Sequence, residues 1–158
     1  MAPSAAVAMR CVTPNAETLS GDEGASETFL AGTPLVSDGS GRLEEDTTDP
    51  ANIVGLSLGP GHNTSGEADE KIDYVPAWPE YTFLATVAAT SAAAALTQTM
   101  LDAEMGVTES GGIYTLDSDK SDGSTSRARI IKAVDEVGDE WARVLFKWTL
   151  DQIIIYDT

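Results

Sequence analysis

Between Trp141 and Leu150 the residues alternate with a period of two. Ala142, Val144, Phe146, Trp148 and Leu150 are apolar, while Arg143, Lys147 and Thr149 share the opposite positions with Trp141 and Leu145. Successive side chains of a strand point to opposite faces, so this segment presents one apolar face to a core. The segment from Arg127 to Val134 is a second strand candidate, and the acidic stretch from Asp135 to Glu140 between them, with its one glycine, suits a turn. A β-hairpin packed on a core is the expectation around which the rest of the chain is read.

Upstream, Thr33 to Val36, Ile53 to Leu58, Ile72 to Val75, Tyr81 to Ala88 and Gly112 to Leu116 are short apolar runs separated by turn-forming residues, and are predicted as strands. Ser37 to Gly41 reads as a tight turn, and Pro76 and Pro79 place their strands at a sheet edge or bend. Gly59 to Gly66, followed by Glu67, Asp69 and Glu70, is predicted as an exposed acidic loop, and Asp117 to Ser126 as a polar one. Ile153 to Tyr156, apolar on both faces, is expected to be a last strand buried in the sheet or at a subunit contact. One helix interrupts the pattern: Thr90 or Ser91 caps it, Ala92 to Met105 is rich in helix formers with Leu96, Met100 and Ala103 on one stripe, and Gly106 supplies a left-handed stop.

Residues 1–25 mix Ala, Ser, Thr, Pro and Gly without a period and are expected to form a flexible N-terminal arm, with residues 26–158 as the β-rich domain. The expected fold class is mainly β, a small β-barrel or β-sandwich with one short α-helix. A chain of 158 residues is long enough for a self-sufficient core.

Charge narrows the partners. Lys and Arg number 9 against 26 Asp and Glu, a formal net charge of −17, so affinity for nucleic acid or an anionic membrane is not expected. The longest apolar runs fall far short of the roughly 18 residues of a spanning helix. No apolar signal core follows Arg10, so the protein is expected to remain in the cell that makes it, and the lone Cys11 forms no intrachain disulfide.

Catalytic and metal patterns fail on context. Gly55-Leu56-Ser57-Leu58-Gly59 matches the short pattern of a nucleophile elbow, and the single histidine, His62, follows closely. An elbow needs a helix directly after its serine, however, and Pro60-Gly61 forbids one. Asp117 to Gly123 resembles the start of a calcium loop, but its glycine falls one place late and the twelfth position is Ala128 instead of a bidentate Glu. One histidine and one cysteine cannot assemble a zinc site, and no phosphate-binding glycine motif opens a helix. No cofactor, metal or catalytic residue is expected.

What remains is contact chemistry. Trp78 and Trp141 are candidates for a glycan or protein surface, Trp141 as an exposed anchor beside Arg143 and Lys147. Five of the nine basic residues, Arg127, Arg129, Lys132, Arg143 and Lys147, fall on the hairpin, a basic region that would help self-assembly against acidic neighbours. Val12 and Leu19 are the apolar docking candidates of the arm.

The run from Phe29 to Leu43, FLAGTPLVSDGSGRL, followed by PANIVGL from Pro50 to Leu56, resembles the opening "AG-x-x-L-V-x-D-x-x-G-x-L … I-x-G" of head decoration, or cement, proteins of tailed bacteriophages. The later order of elements, over about residues 28–150, is similar as well. The resemblance implies a small β-barrel or β-sandwich subunit that binds the major capsid protein as a homotrimer on the outer surface of the expanded capsid. It would be made in the host cytoplasm and would stabilise the head against the pressure of packaged DNA. The acidic loop at 59–70 and the long arm depart from the shared pattern. Two other readings stand beside it: a phage tail, fibre or adhesion module that binds glycans through Trp78 or Trp141, and a small serine hydrolase using Ser57 and His62.

Overall fold

The computed structural model describes residues 2–25, 27–46, 53–63, 70–90, 92–120 and 128–149. Arg127, Leu150, residues 64–69 of the predicted acidic loop, residues 121–126 of the predicted polar loop, and the predicted strand from Ile153 to Tyr156 lie outside the described residues. The fold is mainly β, built of two sheets.

In chain order the strands are β1 (Arg10–Cys11), β2 (Leu19–Asp22), β3 (Pro34–Ser37), β4 (Leu43–Glu45), β5 (Gly55–Ser57), β6 (Lys71–Pro76), β7 (Phe83–Ala89), β8 (Ala92–Ala93), β9 (Glu104–Ser110), β10 (Ile113–Asp117), β11 (Ala128–Ala133) and β12 (Arg143–Trp148). The larger sheet runs β1-β7-β10-β9-β11-β12, and β12 also pairs with β7. That last pairing closes β7, β10, β9, β11 and β12 into a ring. It is possible because the first half of β7 pairs antiparallel with β12, Arg143 opposite Thr86 and Phe146 opposite Phe83, while the second half pairs parallel with β10, Leu116 opposite Val87. Closure leaves these strands without open edges.

Alternate residues of each strand fill the ring. Phe83, Ala85 and Val87, Met105 and Val107, Tyr114 and Leu116, Ala128 and Ile130, and Val144, Phe146 and Trp148 are all buried in one cluster. The expected hairpin is present with its apolar face inward, and Trp148 is core.

The smaller sheet is antiparallel in the order β2-β6-β5-β3-β4. One set of its residues, Ile53, Leu56, Val75 and Ala77, packs into the ring's core, and the other, Leu35, Val54, Ile72 and Tyr74, gathers with Phe29 and Leu43 in a second cluster. A bridge between Glu23 and Leu43, with the Gly24 N–H donating to the Leu43 carbonyl at 2.7 Å, ties the continuation of β2 to β4 and curls this sheet on itself. The predicted turn after β3 is held by Asp38, whose Oδ1 accepts from the N–H groups of Ser40 and Arg42.

The predicted helix from Ala92 to Met105 does not form. Ala92 and Ala93 pair with Ala89 and Ala88 as β8, a single 3₁₀ turn occupies Gln98–Met100, and Gly106 lies inside β9. Tertiary pairing overrides propensity here. Leu96 is buried with its backbone bonded to Gly138 and Asp139, and Met105 and Val107 enter the ring at strand spacing, which a helix reaching Met105 would prevent.

Of the predicted arm at 1–25, the described residues 2–25 likewise do not lie apart from the domain. β1 pairs with β7, β2 pairs with β6, and Met9 and Glu23 are buried. The Val7 N–H donates to the Thr86 hydroxyl at 3.1 Å, so this segment covers the outer side of β7, whose residues would otherwise be solvated on that face. Strands of two and four residues are too short to show a period in sequence. Gly32, in the segment that carries the family resemblance, has φ +84 and sits where a Cβ would lie 2.5 Å from the Met9 carbonyl oxygen, so only glycine lets the N-terminal segment pass this close.

Candidate interaction surface

The residues singled out for contact fall into three places. The Trp78 end gathers four of them. Trp78 stacks on Tyr81 with centroids 5.5 Å apart, the Lys147 Nζ donates to the Pro79 carbonyl at 3.1 Å, Arg129 stands opposite Lys147 across β11 and β12, and the Val12 N–H donates to the Thr82 carbonyl at 2.9 Å. Trp141 and Arg143 sit at the other end of β12, by the hairpin turn. Leu19 lies on the smaller sheet, half-buried against the second core, and Arg127 lies outside the described residues.

Trp141 lies just before β12, outside its regular alternation. It has a φ of 56°, and its half-buried side chain lines a cavity of about 250 Å³ with Ala5, Ala88, Thr108 and Ile113.

The hairpin is not a free basic face either. Arg143 forms a fork on Asp135, Nε to Oδ2 at 2.9 Å and Nη2 to Oδ1 at 2.8 Å, and its backbone N–H donates to the same carboxylate at 2.8 Å. These three hydrogen bonds hold the Asp135 carboxyl below the usual carboxylate range. Arg129 bonds Glu104 at 2.9 Å and lies 3.4 Å from Asp102. Two of the cations that look available in sequence, Arg129 and Arg143, are taken up by carboxylates of a neighbouring strand and turns.

Ser57 and His62 do not meet as a catalytic pair. The Ser57 hydroxyl is buried at the end of β5, accepts from the Thr33 N–H at 3.0 Å and faces the Leu30 carbonyl at 3.4 Å. The His62 ring lies between two other carboxylates, Nδ1 3.1 Å from Glu23 and Nε2 3.0 Å from Glu70. Asp117, the first residue of the calcium-like run, is buried and engaged by the hydroxyls of Thr90 and Thr108 and by the Asp119 N–H. No group of three or more His, Cys, Asp or Glu arranged to hold a metal occurs among the described residues, and no helix among them is long and apolar enough to cross a membrane.

The negative charge has its own centre. Burial, and then the neighbouring carboxylates of Glu44, Glu45 and Glu23, push Glu27 above the usual range against a hydrogen bond from the Glu45 N–H, and burial with Glu109 nearby pushes Glu45 up. A raised carboxyl binds its proton more readily in the folded state. It therefore adds stability as pH falls through its folded value toward the unfolded one near about 4.3. Asp135 acts the other way: its contribution is present above about 3.9 and is lost as pH falls through its depressed folded value. The urea midpoint is expected to rise from pH 7 to about pH 5 and to fall again below about pH 4. In Glu27→Gln the rise shrinks, and in Asp135→Asn part of the acid fall disappears. A midpoint that drops steadily from pH 7 to 5 contradicts this account.

Sequence reading missed two features. The pairing of buried Glu23 with His62 joins residues distant in the chain, and the apolar exposure of Ile131, Val134 and Val137 was masked by assigning part of that run to a regular strand. No protein-family model matches the chain, and no curated protein matches it.

Proposed function

We propose that this protein is a non-enzymatic structural component of a bacteriophage virion, a head decoration protein. It binds the major capsid protein on the outer surface of the expanded capsid as trimers and stabilises the head against internal DNA pressure. The observation that carries the reading is the FLAGTPLVSDGSGRL run with the PANIVGL segment after it. Its support is that the described part of this stretch makes one continuous unit, β3, the Asp38 turn, β4 and β5 side by side, with Gly32 packed on the N-terminal segment. A cement protein works through many modest contacts repeated over a shell, and avidity makes such contacts effectively permanent. The engagement of Ser57 and His62 by other partners favours this reading over a hydrolase.

The test is mechanical. DNA-filled heads lacking the protein are heated in its presence and absence, and DNA release is followed with an intercalating dye. The expected result is release at a higher temperature when the protein is added before heating. An unchanged release temperature at saturating protein overturns the stabilising role.

A further inference from the structure

The one histidine of the chain, His62, has a carboxylate at each ring nitrogen, Glu23 at 3.1 Å from Nδ1 and Glu70 at 3.0 Å from Nε2. The two carboxylates stand in different surroundings. Glu70 is 41% exposed and has water as an alternative partner, whereas the Glu23 side chain has no exposed surface. Glu23 is fixed from several sides. Its Oε1 accepts the His62 N–H at 2.8 Å, its carbonyl accepts the side-chain amide of buried Asn63 at 3.1 Å, and its own N–H donates to the Glu70 carbonyl at 3.0 Å. The other carboxylate oxygen, Oε2, is buried without a hydrogen bond among the described residues and faces the imidazole.

Among the described residues no other cation pairs with Glu23. Lys71, at the start of β6, is bound to Asp22, and the remaining charged neighbours are acids: Glu27 couples to Glu23, Glu44 and Glu45, and the Glu44 side chain stands beside Gly24. An imidazole carries one N–H when neutral and two when protonated. The neutral ring therefore donates to one of its two carboxylates and turns a lone pair toward the other, while the imidazolium answers both. Leaving Glu23 without a positive partner is the costlier outcome, because its charge is buried.

We propose that His62 is a proton-operated latch. As imidazolium it clamps Gly61, His62 and Asn63 onto the continuation of β2 and the residue before β6, and the clamp loosens as pH rises and the ring gives up its proton to solvent. The fold carries this event beyond the ring. Glu23 also forms the bridge to Leu43 that curls the smaller sheet on itself. Gly61 donates its N–H to the Phe29 carbonyl at 2.8 Å and sits where a Cβ would meet the Phe29 ring at 2.9 Å, so this segment bears directly on the second core. The inference follows from the geometry of these side chains and does not depend on the capsid reading.

A single histidine makes the test direct, since its ring signals in NMR spectra need no assignment. Ring nitrogen shifts and amide hydrogen exchange are followed together in the full chain from about pH 5 to about pH 9, a span that brackets histidine titration. Both ring nitrogens are expected to be protonated at the acid end. As the ring titrates, exchange of the His62 and Glu23 N–H groups is expected to accelerate by about tenfold or more beyond the rise that base catalysis gives, while the Phe146 N–H in β12 shows no such step. In Glu70→Gln, an exposed change, the step moves to lower pH. In Glu23→Gln it disappears, because a neutral amide needs no cation beside it. If Glu23→Gln does not fold, the wild-type profile and Glu70→Gln decide the matter. Exchange at His62 and Glu23 that ignores the ring's titration, an equal step at Phe146, or a step at unchanged pH in Glu70→Gln overturns the proposal.

Discussion

Replacing Phe146 by alanine is expected to lower the free energy of unfolding by about 3–5 kcal/mol. The ring is fully buried in β12, its centroid 5.0 Å from that of Trp148 and 5.8 Å from that of Phe83, and Phe83 and Trp148 also meet edge-on. This aromatic trio fills the ring of strands where β12 pairs with β7, so truncation leaves a cavity bounded by closed sheet that cannot collapse freely. For a domain with about 5–15 kcal/mol in total, the loss is a large fraction. At about 2–4 °C per kcal/mol, the thermal midpoint should fall by roughly 10 °C or more. Leu145→Ala, one residue away on the half-buried face, should cost about 1 kcal/mol. Equal losses for the two variants in urea titration would mean that the period-two arrangement of β12 does not set the core.

Deleting residues 2–12 is the second large effect expected. It removes Met9, buried to 2%, and the strand β1 that pairs with Leu84 and Phe83, and it exposes the outer side of β7, where Leu84 and Thr86 are buried. Loss of the Met9 side chain alone is worth about 1.5–3 kcal/mol, and uncovering Leu84 adds a term of similar size. The thermal midpoint is expected to drop by roughly 10 °C. An arm free of the domain would leave the midpoint where it was, and that outcome would contradict the integration of this segment into the fold.

The hairpin was legible because its alternation persists from Ala142 to Trp148, long enough for the period to show. The strands β3, β5, β6 and β7 were legible from the turn residues between them, whereas the three-residue β4 was not. The alanine-rich segment misled because alanine favours a helix without excluding an exposed edge pair such as β8. The pairing that decides the matter, Leu96 with Gly138 and Asp139, is long-range. For the candidate surface, composition placed the cations on β11 and β12 but could not say which carboxylates take them up, since Arg129 is paired with Glu104 of another strand. Ile131 was turned outward beside Lys132 by a single bulge. Such local breaks of register move a side chain from one face to the other without a mark in the hydrophobic pattern.

The proposed coating of an expanded capsid is measured most directly by stoichiometry. Purified protein is mixed with expanded shells that lack it, the shells are sedimented, and bound copies are counted per major coat subunit. Saturation near one copy per coat subunit, with no binding to unexpanded shells, is the predicted result. No binding, or a handful of copies per particle, would contradict it.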